Sequence, residues 1–405
     1  MKSDKKIEHF LRQIHTLILI RKAESGRRTR PRRQSDQPLQ LVLLISRSHD
    51  IDLYLEIYRQ ALSIPEIKIN FWATKRALNA FPATRKLLSI HKLKIDFRLE
   101  HKNLQEALKR LQKVDVLLNT VESSIAAHKI PYRLIKIANA CGCLTFTLQH
   151  AFENIGLTCF DDNSAGNITF AAQWLLTWGE PANLAKKLAG KTRRKCIAVG
   201  CPKRYLKSRS QTVTTPGEKP IISIFEGIHA DRFDSAYRKN FFTDLQAITN
   251  EFNHFHFVLK LHPGVLQREP WQTDALAQLT NIDIIDPGNP HTRLPLSTPE
   301  LLEKSLATIT TPSTIALDAA LTGTPAAVIR YQQKSPSYNL YQPLPLLDKT
   351  ADWRDFLNQV RQNLPQLQKE TENFLKQVML PGNAAGRILN TILEKWHSTA
   401  PTNNL

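Results

Sequence analysis

The stretch from Leu306 to Tyr331, LATITTPSTIALDAALTGTPAAVIRY, narrows most what this chain can fold into. Residues 307–310 have the pattern of a short strand, and Thr311, Pro312, Ser313 and Thr314 form a polar turn. A small-residue helix then runs to about Leu321, Gly323 stops it, and Val328 and Ile329 lie in a second strand. Strand, helix and strand at this spacing make a βαβ unit, which needs a parallel sheet to close on.

Such a unit presents backbone N–H groups and hydroxyls at a helix N-terminus just beyond a strand's carboxyl end, where open α/β sheets hold anions such as phosphate. Thr311, Ser313 and Thr314 are therefore candidates for a phosphate-binding turn. A hydroxyl N-cap on an ordinary helix accounts for the same residues, and both readings stand at this level.

The rest of the chain repeats the pattern. Strands are expected over 41–45, 67–72, 93–97, 114–118, 144–148, 174–178 and 195–199, with helices over about 53–62, 104–111 and 131–141. Gly200-Cys201-Pro202 closes this first set. A second set begins with a strand at 220–225, a helix at about 235–252, a strand at 255–261, an edge strand at 282–285 and a short helix at 299–304. Two helices, about 353–378 with a break near Pro365 and 384–397, finish the chain. At 405 residues the chain exceeds what one core usually serves. The expected organisation is a basic segment 1–37, a Rossmann-like domain 38–202, a linker 203–219, a second such domain 220–380, and a terminal helix and tail 381–405.

The formal charge is +19, which points to acidic partners. Residues 1–37 carry eleven Lys/Arg against four Asp/Glu, the one dense cluster. Ile7, Phe10, Leu11, Ile14, Leu17 and Ile18 recur there at helical spacing, so a basic amphipathic helix on an anionic membrane surface is one expectation. A helix packed on the first domain is the other. No apolar run is long enough to span a bilayer, and no secretion signal is recognisable, so a cytoplasmic protein is expected, peripheral at the inner membrane face if the helix binds lipid. Residues 21–37 contain no aromatics, which argues against a nucleic-acid surface. Five cysteines without CxxC spacing suggest neither zinc nor a disulfide framework.

The ends of two expected strands in the second half could share a crevice: Lys260, His262 and Pro263 after one, and the Thr311–Thr314 turn after the other. A lysine, a histidine and a helix N-terminus converging there would neutralise a leaving phosphate without metal. Asp318, one helical turn past Thr314, is a candidate for a ribose hydroxyl, and Glu226 for donor or acceptor contact. In the first half Asp50, Asp52, Glu122 and His150 follow strands and are candidates for a general base, His150 first; helix capping is the competing job for the two aspartates, and a bond to a neighbouring backbone group that for His150. Asp50-Ile51-Asp52 has metal-binding DxD spacing but lies in the wrong half for a donor site, so no cofactor and no metal are expected.

The order Gly200-Cys201-Pro202, strand, KLHPG, TPSTIALDAALTGTP resembles the nucleotide-binding half of GT-B glycosyltransferases, in particular the bacterial envelope-polymer group of CDP-glycerol glycerophosphotransferases and HP-motif capsule sialyl- and Kdo-transferases. The likeness covers about residues 144–330. It implies an α/β GT-B architecture, two doubly wound Rossmann-like domains facing a cleft. It also implies donor-phosphate contacts from His262, Ser313 and Thr314. The group carries a histidine followed by glycine after a first-domain strand; here His150 is followed by Ala151. The implied activity is inverting, metal-independent transfer from a nucleotide-activated donor, CMP- or CDP-linked, to a cell-surface glycan or lipid-linked acceptor. A nucleotide-sugar epimerase of the same fold and a basic nucleic-acid-binding protein are the alternatives.

Overall fold

The computed structural model describes residues 2–27, 37–80, 82–160, 168–203, 218–227, 233–262, 274, 276–286, 296–331 and 338–399. Pro263, the Arg-rich run 28–36 and most of the expected linker 203–219 lie outside them. The chain divides into two compact units, Met1–Arg204 with Met379–Leu405, and Tyr205–Val378.

The first unit is built on a parallel seven-stranded sheet of order β3-β2-β1-β4-β5-β6-β7. Its strands are β1 Leu39–Ile45, β2 Ile67–Thr74, β3 Ile95–Leu99, β4 Val116–Asn119, β5 Leu144–Leu148, β6 Trp174–Thr177 and β7 Cys196–Ala198. β1, LQLVLLI, is apolar almost throughout and buried except for half-buried Gln40, as a central strand covered on both faces must be. The helix after it spans His49–Ala61 and starts earlier than the periodicity suggested. The cause is Asp50, whose carboxylate accepts from Ser46 N (2.6 Å) and Arg47 N (2.8 Å) and so draws the polar residues before Leu53 into the helix. Helices Lys75–Ala80 and Pro82–Ile90 gave no clear pattern in the sequence.

The N-terminal helix Lys2–Arg27 buries Thr16, Leu19 and Ala23 and packs on the helix Lys129–Ala140. Its opposite face leaves Leu11, Ile14, Leu17 and Ile18 exposed. The C-terminal helix Ala384–Thr399 packs on the helix His49–Ala61. Arg387 Nε donates to Val199 O (2.8 Å), beside Gly200 at φ +86°.

The second unit has a parallel six-stranded sheet of order β10-β9-β8-β11-β12-β13. The strands are β8 Ile221–Phe225, β9 His256–Lys260, β10 Ile282–Ile285, β11 Ser305–Thr310, β12 Ala326–Ile329 and β13 Leu346–Leu347. Ile222, Ile224, Phe257, Leu259, Ile309 and Ile329 form its core with Phe241, Leu245 and Trp353. The βαβ stretch folds as its pattern dictates: β11, the helix Ile315–Thr322, Gly323 at φ +76° and then β12. The hydroxyls of Ser223 and Thr308 lie 2.8 Å apart and tie β8 to β11.

Both sheets reverse strand order once, between β1 and β4 and between β8 and β11. Successive chain segments leave in opposite directions at such a point, opening a crevice at the carboxyl ends of the two strands. The candidate residues gather there.

Candidate functional site

In the second unit the residues after β8, β9 and β11 are linked by hydrogen bonds. Glu226 N donates to Lys260 O (3.0 Å), and the Glu226 carboxylate accepts from His262 N (3.1 Å). Gly227 N donates to Thr311 Oγ (2.9 Å), and a Cβ at position 227 would sit 2.7 Å from that oxygen, so the close approach requires glycine. Glu226, His262 and Thr311 are thus brought together, and buried Glu226 and Thr311 position backbone. Ser313 Oγ accepts from Ile315 N (3.2 Å) and lies 3.0 Å from Thr310 Oγ, a local cap at the start of the helix. Thr314 is half-buried beside it, while Asp318 is buried within the helix. Lys260 Nζ donates to Leu296 O (2.7 Å), and burial pulls its ammonium down to about 8.

In the first unit the β1/β4 reversal holds a denser cluster. Asp50 is fully buried; besides its two backbone donors it accepts from Thr120 Oγ (2.6 Å), and burial pushes its carboxyl up to about 6. Glu122, also buried, accepts from Thr147 Oγ (3.2 Å) and from Ala171 N. Burial, partly offset by these bonds, raises its carboxyl to about 7. Both acids serve as internal acceptors, Asp50 joining the ends of β1 and β4 and Glu122 tying the segment after β4 to β5 and to Ala171.

His150, half-buried, differs from them. Its Nδ1 lies 3.1 Å from Thr120 O. A carbonyl only accepts, so Nδ1 carries the hydrogen and Nε2 of the neutral ring keeps its lone pair. Asn154 Nδ2 lies 3.3 Å from the same nitrogen, and only the flipped amide would turn its oxygen to that hydrogen. Burial, then the nearby His49, Arg47 and His128, hold the His150 imidazolium well below the usual range, so the ring is neutral at pH 7.

His49 stacks on His150 at 5.7 Å and His128 meets it edge-on at 6.2 Å. Arg47 Nη2 lies 3.3 Å from His128 Nε2; a guanidinium only donates, so the His128 hydrogen sits on Nδ1 and points to Ser123 Oγ at 2.8 Å. Burial, reinforced by Arg47, brings His49 down to about 3 and His128 to about 4. Sequence reasoning missed His49, His128, Arg47 and Ser123. Arg47 and His49 lie in the polar segment Ser46–Asp52 that follows β1, whereas nothing local signals His128, in the short 3-10 turn Ala126–His128. Among the described residues no group of three or more His, Cys, Asp or Glu side chains is arranged to hold a metal ion.

The sequence matches no family model and no curated protein. Solved structures do match. A complex of S. aureus MnaA with UDP aligns at TM-score 0.62 and 14% identity, over 89% of this chain and 97% of that one. The UDP-GlcNAc 2-epimerase of Neisseria meningitidis bound to UDP-GlcNAc aligns at 0.59 and 16%, over 88% and 100%. The wall teichoic acid polymerase TagF aligns at 0.55 and 12%, over 97% and 98%. The fold is GT-B. The expected α/β class of two doubly wound Rossmann-like domains holds, and at these identities the likeness speaks for the fold alone.

Proposed function

We propose that the chain is a transferase that moves a sugar or polyol phosphate from a nucleotide-activated donor to a hydroxyl of a cell-surface glycan or lipid-linked acceptor. The observation that carries this reading is His150: a neutral imidazole oriented by Thr120 O, its Nε2 available as a base, at the strand-order reversal of the first sheet. Nε2 takes the acceptor's O–H proton; the acceptor oxygen bonds the anomeric carbon of a sugar, or the phosphorus of a polyol phosphate, and the nucleotide leaves with the electrons of the bond that breaks there. The second unit binds the donor, with His262, Lys260 and the Thr311–Thr314 turn toward its phosphates; the sequence resemblance implies a CMP- or CDP-linked donor. These groups supply the charge compensation, so activity is expected to survive EDTA.

The Neisseria likeness favours a second reading, a nucleotide-sugar epimerase. Inverting a C–H centre needs proton groups on both faces of the sugar, whereas the carboxylates here are buried and occupied. Product analysis decides. Labelled CMP-, CDP- and UDP-activated sugars should release nucleotide only when an acceptor is added. Conversion of the sugar without acceptor would establish the epimerase instead.

The same reading places the enzyme peripherally on the cytoplasmic face of an anionic membrane. No helix among the described residues is long and apolar enough to cross a bilayer. The exposed Leu11, Ile14, Leu17 and Ile18, flanked by exposed Arg21 and Lys22, suit shallow insertion beside acidic headgroups.

A further inference from the structure

A cavity of ≈ 240 Å³ in the first unit is lined by Arg12, Ser46, Arg47, Thr74, Arg76 and Lys129, among others. The lining includes three arginines, a lysine and His101, and no carboxylate. Ser46 comes from the end of β1 and Thr74 from the end of β2, so the cavity opens where strand ends meet, beside the β1/β4 reversal.

Three observations bear on its occupant. Ser46 lines the cavity, and its buried hydroxyl has no hydrogen-bond partner; a buried polar atom left so calls for one. The cations are close enough to feel one another: burial disfavours the Arg47 charge, Asp50 favours it and Arg76 opposes it, and burial followed by Arg12 disfavours the charge of the buried Arg133. Arg133 Nη1 lies 3.4 Å from His101 Nδ1, which must accept, so the hydrogen of neutral His101 is on Nε2. Asp50 holds Ser46 N, Arg47 N and Thr120 Oγ, and Glu100, in the neighbouring cavity, pairs with Lys75 at 3.4 Å and Lys102 at 3.8 Å.

We infer that this cavity binds a phosphate group carried by the acceptor, with Arg12, Arg47, Arg76 and Lys129 supplying the countercharge and Ser46 a hydroxyl donor. Guanidinium forks match the tetrahedral oxygens of phosphate. Arg47 connects the cavity to the base, because it also touches His128, whose ring meets His150. Phosphate in the cavity therefore sets the acceptor next to the group that takes its proton. The inference rests on the transferase reading for the word acceptor, while the binding itself is testable without a donor.

The test is calorimetric titration of the full chain with glycerol 3-phosphate, glycerate and glycerol, no nucleotide present. Glycerol 3-phosphate should bind, more weakly as salt rises, and at least tenfold tighter than glycerate, with glycerol not binding. Arg76→Glu and Arg12→Glu, both at exposed positions, should each weaken it tenfold or more at an unchanged unfolding temperature, and Ser46→Ala should weaken it several-fold. Dihexanoyl phosphatidate below its micelle concentration separates the two sources of phosphate. Tighter binding than glycerol 3-phosphate assigns the site to a lipid-linked acceptor, and equal or weaker binding assigns it to a phosphorylated glycan. Glycerate binding as well as glycerol 3-phosphate, or charge reversals that leave affinity intact, would overturn the inference. Failure of nucleotide release in the product assay would instead remove the transferase reading and leave this binding result standing.

Discussion

His150 acts through one atom, Nε2, whose freedom depends on the Thr120 carbonyl holding the opposite nitrogen. His150→Asn removes the base and is expected to lower transfer 10²- to 10⁴-fold while leaving donor affinity unchanged, measured by single-turnover kinetics and equilibrium binding. Glu122 gives a second residue-scale prediction. Its carboxyl sits near 7 in the folded chain against an ordinary 4.5, so between those pH values the native state keeps a proton that the unfolded chain has released. Its contribution to stability therefore falls as pH rises through that window. His128, lowered from 6.5 to about 4, has the opposite sign: the unfolded chain protonates first, and stability is lost as pH falls through that interval. The two partly cancel in the wild type, so the readout is a difference. Relative to wild type, Glu122→Gln should gain up to about 3 kcal/mol between pH 4.5 and 8 in urea unfolding. A pH-independent difference would show that Glu122 ionises normally.

At the scale of elements, the turn before the helix Ile315–Thr322 does two jobs. Ser313→Ala removes the acceptor for Ile315 N and is expected to cost about 1 kcal/mol of stability. Whether it also weakens nucleotide binding separates the cap from the phosphate role in one variant. The N-terminal helix divides its labour by face: Thr16, Leu19 and Ala23 anchor it, and Leu11, Ile14, Leu17 and Ile18 remain outside. Because each inserted aliphatic side chain contributes roughly 1.5 kcal/mol or more, Leu17→Glu with Ile18→Glu should weaken sedimentation with anionic vesicles about a hundredfold. The fold should be unaffected, since neither residue is in the packed face. Unchanged sedimentation would defeat the membrane reading.

At the scale of the molecule, the chain returns to its first unit for its last helix. Ala384, Ala385, Ile388, Leu389 and Ile392 are buried there, Leu380 N donates to Trp178 O (2.9 Å), and Arg387 holds Val199 O. A chain ending at Val378 should lose several kcal/mol from the first unit and keep the second, seen as one shifted transition out of two in thermal unfolding. Gly200 belongs to the same junction: its φ of +86°, with a Cβ only 2.7 Å from Leu380 O, leaves no room for alanine.

Local pattern carried much of this fold. The apolar run of β1, the small-residue helix Ile315–Thr322 and the Gly323 stop dictate their own conformations, because strand and helix periodicity and a positive φ are properties of a few adjacent residues. That is why two sets of alternating strands and helices, the βαβ turn, and His150, Glu226 and His262 at strand ends were legible. Strand order is not local. The reversals between β1 and β4 and between β8 and β11 join residues some 70 to 85 positions apart, as in Asp50 with Thr120 and Gly227 with Thr311. Only those pairings showed that Asp50 and Glu122 are internal acceptors, that His49, His128 and His150 share one cluster, and that Arg12, Arg47, Arg76 and Lys129 line one cavity. A side chain's chemistry is written at its own position, but its burial, tautomer and electrostatic neighbours come from segments the chain reaches only by folding.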